Sequence, residues 1–375
     1  MDALTTPSNW QKVRLGDVGK PCMCKRVMKH QTTRYGEIPF YKIGTFDNTA
    51  DAFISKKLFL EYKTKYSFPK KGDILISASG TIGRAVIYDG KPAYFQDSNI
   101  VWIDNDETLV KNDFLFYAYS NVKWDTEHTT ILRLYNDNFR NTLIPLPPLN
   151  EQIAIANILS DVDRYLCSLD ALILKKESVK KALSFELLSQ RKRLKGFNQN
   201  WQRVRLGDIC EITTGSLDAN EMVHYGKYRF YTCAKEYYFI DKYAFDTEAI
   251  LISGNGAYVG YVHYYKGKFN AYQRTYVLDN FSEHIIFVKY FLTMFLQSHI
   301  QTNRNEGNTP YIVMATLKDF EILLPPLNEQ IAIANILSDL DHEIISLKNK
   351  KRQFDNIKKA LNHDLMSAKI RVLKE

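Results

Sequence analysis

Cysteine is scarce and odd in number, five residues in 375, with no spacing that reads as a disulfide framework. That excludes a disulfide-stapled secreted scaffold and fits a reducing compartment. No long hydrophobic run is present either: the longest nearly apolar stretch, Ile285 to Leu296, is interrupted by Lys289 and Thr293 and is too short to span a bilayer. The opening MDALTTPSNWQK has no apolar core, so no secretory signal is expected and a cytoplasmic location is. Glycine (17) and proline (11) are too few for a collagen-like or low-complexity chain. Charge of one sign is barely in excess, 50 basic against 42 acidic side chains, and residues 200–323 hold 12 basic and 13 acidic. A nucleic-acid binder of this composition cannot rest on bulk charge alone.

Catalytic signatures are lacking too. There is no G-x-x-x-x-G-K-[ST] loop and no H-E-x-x-H pair, and no Ser nucleophile elbow. Cys22-x-Cys24 near His30 has no second ligand pair at structural-zinc spacing, so no metal site is expected. Gly254-Asn255-Gly256-Ala257-Tyr258-Val259-Gly260 follows an apolar strand and looks like a dinucleotide fingerprint. Its third glycine is one position late, and Tyr261-Val262-His263-Tyr264-Tyr265 reads as strand where a fingerprint needs a helix, so a glycine hairpin is expected. Pro147-Pro148 and Pro325-Pro326 have leucine on both sides, which does not suit an amino-methyltransferase motif. No catalytic residue is assigned.

What is there is a repeat. Residues 146–161 and 324–339 both read LPPLNEQIAIANILSD, sixteen identities at an offset of 178. Lys180-Lys181-Ala182-Leu183 recurs as Lys358-Lys359-Ala360-Leu361. Asn9-Trp10-Gln11-Lys12-Val13-Arg14-Leu15-Gly16-Asp17 returns as Asn200-Trp201-Gln202-Arg203-Val204-Arg205-Leu206-Gly207-Asp208. Between these markers the halves diverge, with one echo: Ile74-Leu75-Ile76-Ser77 then Gly80 and Gly83, against Ile250-Leu251-Ile252-Ser253 then Gly256 and Gly260. The order is variable unit, constant segment, variable unit, constant segment.

The constant segments read as long helices. Leu-Pro-Pro-Leu blocks helix before them, Asn150 and Asn328 suit the N-cap, and Glu151 and Glu329 suit the first turn. Apolar residues then recur at alternating spacings of four and three: Ile155, Leu159, Val162 and Leu166 in one copy, Ile333, Leu337, Leu340 and Ile344 in the other. Lys176, Lys180 and Gln190, and later Lys351 and Lys358, interrupt the seam. No proline or glycine breaks Asn150–Lys195 or Asn328–Glu375, so about 45 helical residues, roughly 67 Å, are expected in each. They pair with each other or, alternatively, with a second chain. In the variable units, Asp73–Ser77 and Ala249–Ser253 read as strands, Ala85–Tyr88 and Tyr261–Tyr265 as their return strands, and Phe114–Tyr119 and Ile285–Leu296 as buried helices.

Duplicated PPLNEQIAIANILSDVD and PPLNEQIAIANILSDLD, each after a unit opening W-x-x-V-x-L-G-D, resemble the specificity subunits of type I restriction-modification enzymes over essentially the whole chain. The resemblance implies an α+β fold with an internal pseudo-two-fold repeat. Two globular target recognition domains (1–146 and 196–323) would be separated by two long antiparallel coiled-coil helices (147–195 and 324–375). It implies a non-catalytic DNA-recognition subunit, each variable domain reading one half of a bipartite double-stranded target. The helices would set the spacer and dock two methylation subunits, with restriction subunits joining that core. S-adenosylmethionine, ATP and magnesium would belong to the partner chains. Two readings compete with it: a single-chain nuclease or methyltransferase with degenerate motifs, and a pure coiled-coil interaction protein.

Candidate DNA contacts lie on the loops after the Ile-Leu-Ile-Ser strands: Ser79, Thr81 and Arg84 in the first unit, Asn255 and Tyr258 in the second. Lys42 and Lys91, then Arg274, Arg304 and Asn308, complete the set. Arg and Asn suit bidentate contacts to guanine and adenine, while Ser, Thr and Lys suit phosphates.

Overall fold

The structure, a computed structural model, describes residues 9–124, 127–128, 132–302 and 310–372. It divides into two compact units, residues 1–169 with 350–375 and residues 170–349. Each takes one globular domain and half of each long helix.

In the first unit an antiparallel sheet has the strand order Gly19–Met23, Ile100–Asn105, Ile74–Ser77, Ala85–Ile87. Side chains alternate across it as strand geometry requires. Ile74, Ile76, Val101 and Ile103 face one core with the helix Asn112–Tyr119. Leu75, Ile100 and Trp102 face a second core with Phe40, Phe59 and Tyr94. Each such fully buried apolar side chain contributes roughly 1.5–3 kcal/mol. Gln11–Arg14 pairs antiparallel with Leu143–Leu146 and closes the domain.

In the second unit a six-stranded sheet runs Glu211–Thr214, Thr275–Asp279, Phe245–Ser253, Val262–Ala271, Tyr228–Tyr231, Tyr238–Ile240. Ile250, Ile252, Tyr276 and Leu278 face the helix Ile285–Thr302, and Leu251, Phe269 and Val277 face the other side. Gln202–Arg205 closes this domain against Glu321–Leu324, repeating the first closure. The expected strands and buried helices are all present. The strand after the Gly254–Gly260 segment begins at Val262 and continues to Ala271, which disposes of the dinucleotide fingerprint.

The central helix, Leu149–Leu188, and the C-terminal helix, Leu327–Met366, each have 40 residues. Within each unit they run antiparallel. In the first unit Asp163 meets Lys358 and the Tyr165 ring lies 4.7 Å from Phe354. In the second, Lys176 meets Glu343 at 2.8 Å and Lys180 meets Asp341.

Three expectations need correction. The helices start two residues early, at Leu149 and Leu327, because the Pro148 carbonyl accepts from the N–H groups of Glu151 and Gln152, and Pro326 does the same for Glu329 and Gln330. Asn150 and Asn328 therefore sit inside the first turn, each side-chain oxygen accepting from the next N–H. The helices also stop short of 45 residues. Gln190 and Ala368, equivalent in the repeat, adopt φ of 61° and 55°, a left-handed conformation that ends a right-handed helix. Finally, Ile155, Leu159, Ile333 and Leu337 are not purely seam residues. The first two are buried in the core of the first domain and the last two in the core of the second. Leu166 and Ile344 are buried, Val162 and Leu340 half-buried.

Candidate nucleic-acid interface

The loops after the two Ile-Leu-Ile-Ser strands have one architecture despite different sequences. The Gly83 and Gly260 N–H groups donate to the Ser77 and Ser253 carbonyls at 2.9 and 2.7 Å. Both glycines have positive φ, 83° and 81°, and both are packed tightly. A Cβ at Gly83 would come within 2.1 Å of Trp124 Nε1, and one at Gly260 within 2.5 Å of Ile300 Cδ1. Glycine is thus required twice at the same place.

Other segments meet these loops at equivalent positions. Ala78 N–H donates to the Asn99 carbonyl and Gly254 N–H to the Arg274 carbonyl, both at 2.8 Å. Ser79 is bridged to Arg133 and Asn255 to Tyr311. Ser79, Asn99 and Arg133 in one half therefore correspond to Asn255, Arg274 and Tyr311 in the other.

In the first unit the structure brings Lys42, Ser79, Thr81 and Arg84 to one loop cluster. Ser79 is buried, its hydroxyl donating to Asn99 Oδ1 at 2.9 Å, so it shapes the loop from within. Thr81 is exposed, and its carbonyl accepts from the Ser77 hydroxyl. Arg84 is exposed, donates to the Ile43 carbonyl at 3.2 Å and lies over the Phe46 ring. Lys42 pairs with Asp51 at 2.7 Å. Lys91 is not in this cluster. It pairs with Asp89 at 3.0 Å on the rim of a groove that also includes Phe46, Asn48 and Tyr88.

In the second unit Asn255 is half-buried, whereas Tyr258 and Arg274 are exposed. The Lys235 ammonium lies 5.1 Å from the centre of the Tyr258 ring, a cation–π contact at the loop tip. Beside it, His263 bonds the Ala234 carbonyl at 2.9 Å, and burial keeps its pKa below the ordinary value although that bond opposes the shift. Arg304 and Asn308 lie outside the described residues. Sequence reasoning missed Asn99, Arg133, Lys235 and Tyr311. The one signal for Arg133 and Tyr311 is that each precedes its Leu-Pro-Pro-Leu by the same distance.

The duplicated segment has a second, outward face. From Leu149 to Asp161 and from Leu327 to Asp339 the burial pattern is the same at every position. Glu151, Gln152, Ile155, Ala156 and Leu159 and their equivalents point in. Leu149 (37% exposed), Ile153 (45%), Leu327 (52%) and Ile331 (39%) point out. Each copy thus presents two apolar side chains one helical turn apart. Among the described residues no cluster of His, Cys, Asp and Glu is placed to hold a metal, and no helix is long and apolar enough to cross a membrane.

Residues 7–176 and 198–354 each match the family described as the type I restriction modification DNA specificity domain. The chain belongs to this specificity family. Two successive matches reproduce the internal repeat, each spanning one globular domain and part of the helix after it. A Haemophilus influenzae relative is 64% identical over 148 residues, 39% of this chain and 38% of its own. The Escherichia coli type I restriction enzyme EcoDI specificity subunit is 37% identical over 171 residues, 45% of this chain and 37% of its own. The match thus spans less than two fifths of the length of each. The MjaVIII specificity subunit of Methanocaldococcus jannaschii is 26% identical over an alignment covering 99% of this chain and 95% of that protein. Among solved structures, the type I restriction-modification S subunit from M. genitalium has this fold, with a TM-score of 0.66 and 18% identity over 98% of this chain and 99% of that one.

Proposed function

We propose that this specificity-family chain is the non-catalytic DNA-recognition subunit of a cytoplasmic type I restriction-modification complex. Its domains, 1–146 and 196–323, each read one half of a bipartite duplex target, and the two long helices set the spacer. The observation that carries this reading is the pairing of one loop architecture with two residue sets, Ser79, Asn99 and Arg133 against Asn255, Arg274 and Tyr311. A common scaffold that sets different side chains around the same loop is what reading two different half-sites requires, with Ser79 shaping its loop from within rather than facing a base. Methyl transfer with S-adenosylmethionine, and cleavage with ATP and magnesium, belong to partner chains.

The outward faces of the duplicated segment support docking of two methylation subunits, one at Leu149 and Ile153 and one at Leu327 and Ile331. Buried positions match between the copies because each packs on a similar domain. Exposed Ile153 and Ile331 match with no such reason in the fold; scattered exposed apolar residues are ordinary, so it is their repetition at equivalent positions that supports a partner surface. Restriction subunits then join that core. The variant Ile153→Asp with Ile331→Asp should melt like the parent and lose both methylation subunits on co-purification. Recovery of two methylation subunits with this variant would refute the docking face. Leu159 and Leu337 are unsuitable for that experiment, because charging them would disrupt the domain cores.

A further inference from the structure

Among the contacts that tie each globular domain to both long helices is a three-residue node. In the first unit the Tyr117 hydroxyl, on the helix Asn112–Tyr119, donates to Asp163 Oδ2 at 2.8 Å. Asp163 lies on the central helix and also receives Lys358 Nζ of the C-terminal helix at 2.5 Å. The Lys358 ammonium in turn lies 5.9 Å from the centre of the Tyr117 ring. In the second unit Tyr290, on the helix Ile285–Thr302, donates to Asp341 Oδ2 at 2.6 Å. Asp341 lies on the C-terminal helix and receives Lys180 of the central helix, whose ammonium lies 5.5 Å from the centre of the Tyr290 ring. The helices have exchanged roles between the two nodes, as a pseudo-two-fold demands.

Both tyrosines are nearly buried, 6% and 5% exposed. Burial, followed by the bond to the carboxylate, raises both phenol pKa values. Hydrogen bonds from Lys180 and Tyr290 hold the Asp341 carboxyl below its ordinary pKa against the opposing effect of burial. Each phenol is therefore a fixed donor, and each carboxylate accepts from one phenol and one lysine. A donor from the domain and a cation from the opposite helix satisfy one carboxylate only in a single roll of the domain on its helix pair. Tyr117 and Tyr290 occupy this place in domains that otherwise diverge.

We infer that Tyr117–Asp163–Lys358 and Tyr290–Asp341–Lys180 are positioning nodes that fix the orientation of each recognition domain on the helix pair, and through it the spacer the complex accepts. The inference rests on the bipartite reading proposed above. In this account none of the six residues reads a base. Their removal should leave both half-site sequences intact and loosen the distance between them.

The test is methylome sequencing of cells carrying the full chain, with Tyr117→Phe and Tyr290→Phe, co-expressed with the methylation subunit it works with. Phenylalanine keeps the buried ring and removes only the donor. Sites with a spacer one base pair longer or shorter should gain roughly tenfold in methylation relative to cognate sites, about the worth of one charge-assisted hydrogen bond. Asp163→Asn with Asp341→Asn, which keeps an acceptor for the phenol and removes the ion pair, should loosen the spacer in the same direction. An unchanged spacer, with methylation either intact or uniformly reduced, would overturn the inference. If the double variant yields no folded complex, Tyr117→Phe alone gives the same reading. Altered half-site sequences would instead contradict the bipartite reading on which it rests.

Discussion

Arg193→Leu should destabilise the second unit by about 3 kcal/mol, the lower end of what breaking one side of a buried ion pair costs. Glu329 is fully buried, and its carboxylate takes Arg193 Nη2 at 2.6 Å and Trp201 Nε1 at 3.2 Å. Leucine at 193 leaves that charge in the core with the Trp201 indole still donating to it. Arg193 itself is about a quarter exposed on its outer edge, which limits the loss. Adding Glu329→Leu should restore part of the stability, because a missing pair costs less than half a pair, while the Trp201 N–H stays unsatisfied at about 1–3 kcal/mol. Urea unfolding of the two singles and the double, followed by circular dichroism, checks this. Strictly additive losses would show that Arg193 and Glu329 are not coupled. The mirror clasp in the first unit joins Glu151 to Trp10 Nε1 at 3.0 Å and to Arg371 at 2.8 Å. Each arginine follows the end of one long helix and holds the start of the other, so the clasps fix the antiparallel pairing at both ends.

Matched insertions of four helix-forming residues, after Asp170 and after Lys348, should lengthen the non-specific spacer by one or two base pairs. These positions are equivalent in the repeat and lie away from clasps, nodes and docking faces. Four residues add about 6 Å of helix and about 40° beyond one turn. At roughly 3.4 Å per base pair, the length corresponds to nearly two base pairs. At 34–36° per base pair, the rotation corresponds to about one. Coiled coils absorb such a stutter by local unwinding. Both half-site sequences should be retained. An active variant with its original spacer would mean that the helices do not set the distance.

Much of this organisation was legible because it is written twice. The identity of 146–161 with 324–339 exposed the duplication, and the glycines after each Ile-Leu-Ile-Ser located both loops. The helix ends were not legible. Gln190 and Ala368 carry a conformation that glycine usually marks, and neither residue type announces it. Lys180 and Lys358 looked like flaws in an apolar seam, because spacing shows that a cation interrupts the pattern and not that a carboxylate waits on the other helix. Leu159 and Leu337 fit the seam period equally well whether they face a helix or a domain core. Asn99, Arg133 and Tyr311 come from segments distant in sequence, and only the backbone bonds of the folded halves place them beside Ser79 and Asn255.

The central claim is that the two domains read independent half-sites. It is tested most directly by replacing residues 10–145 with the equivalent unit of a relative and mapping methylated positions genome-wide. Both cut points fall at the strand pair Gln11–Arg14 and Leu143–Leu146, so domain closure and the helix pair are kept. One half of the methylated motif should change to the donor's, while the other half and the spacer stay as they were. A change in both halves together, or in neither, would contradict it.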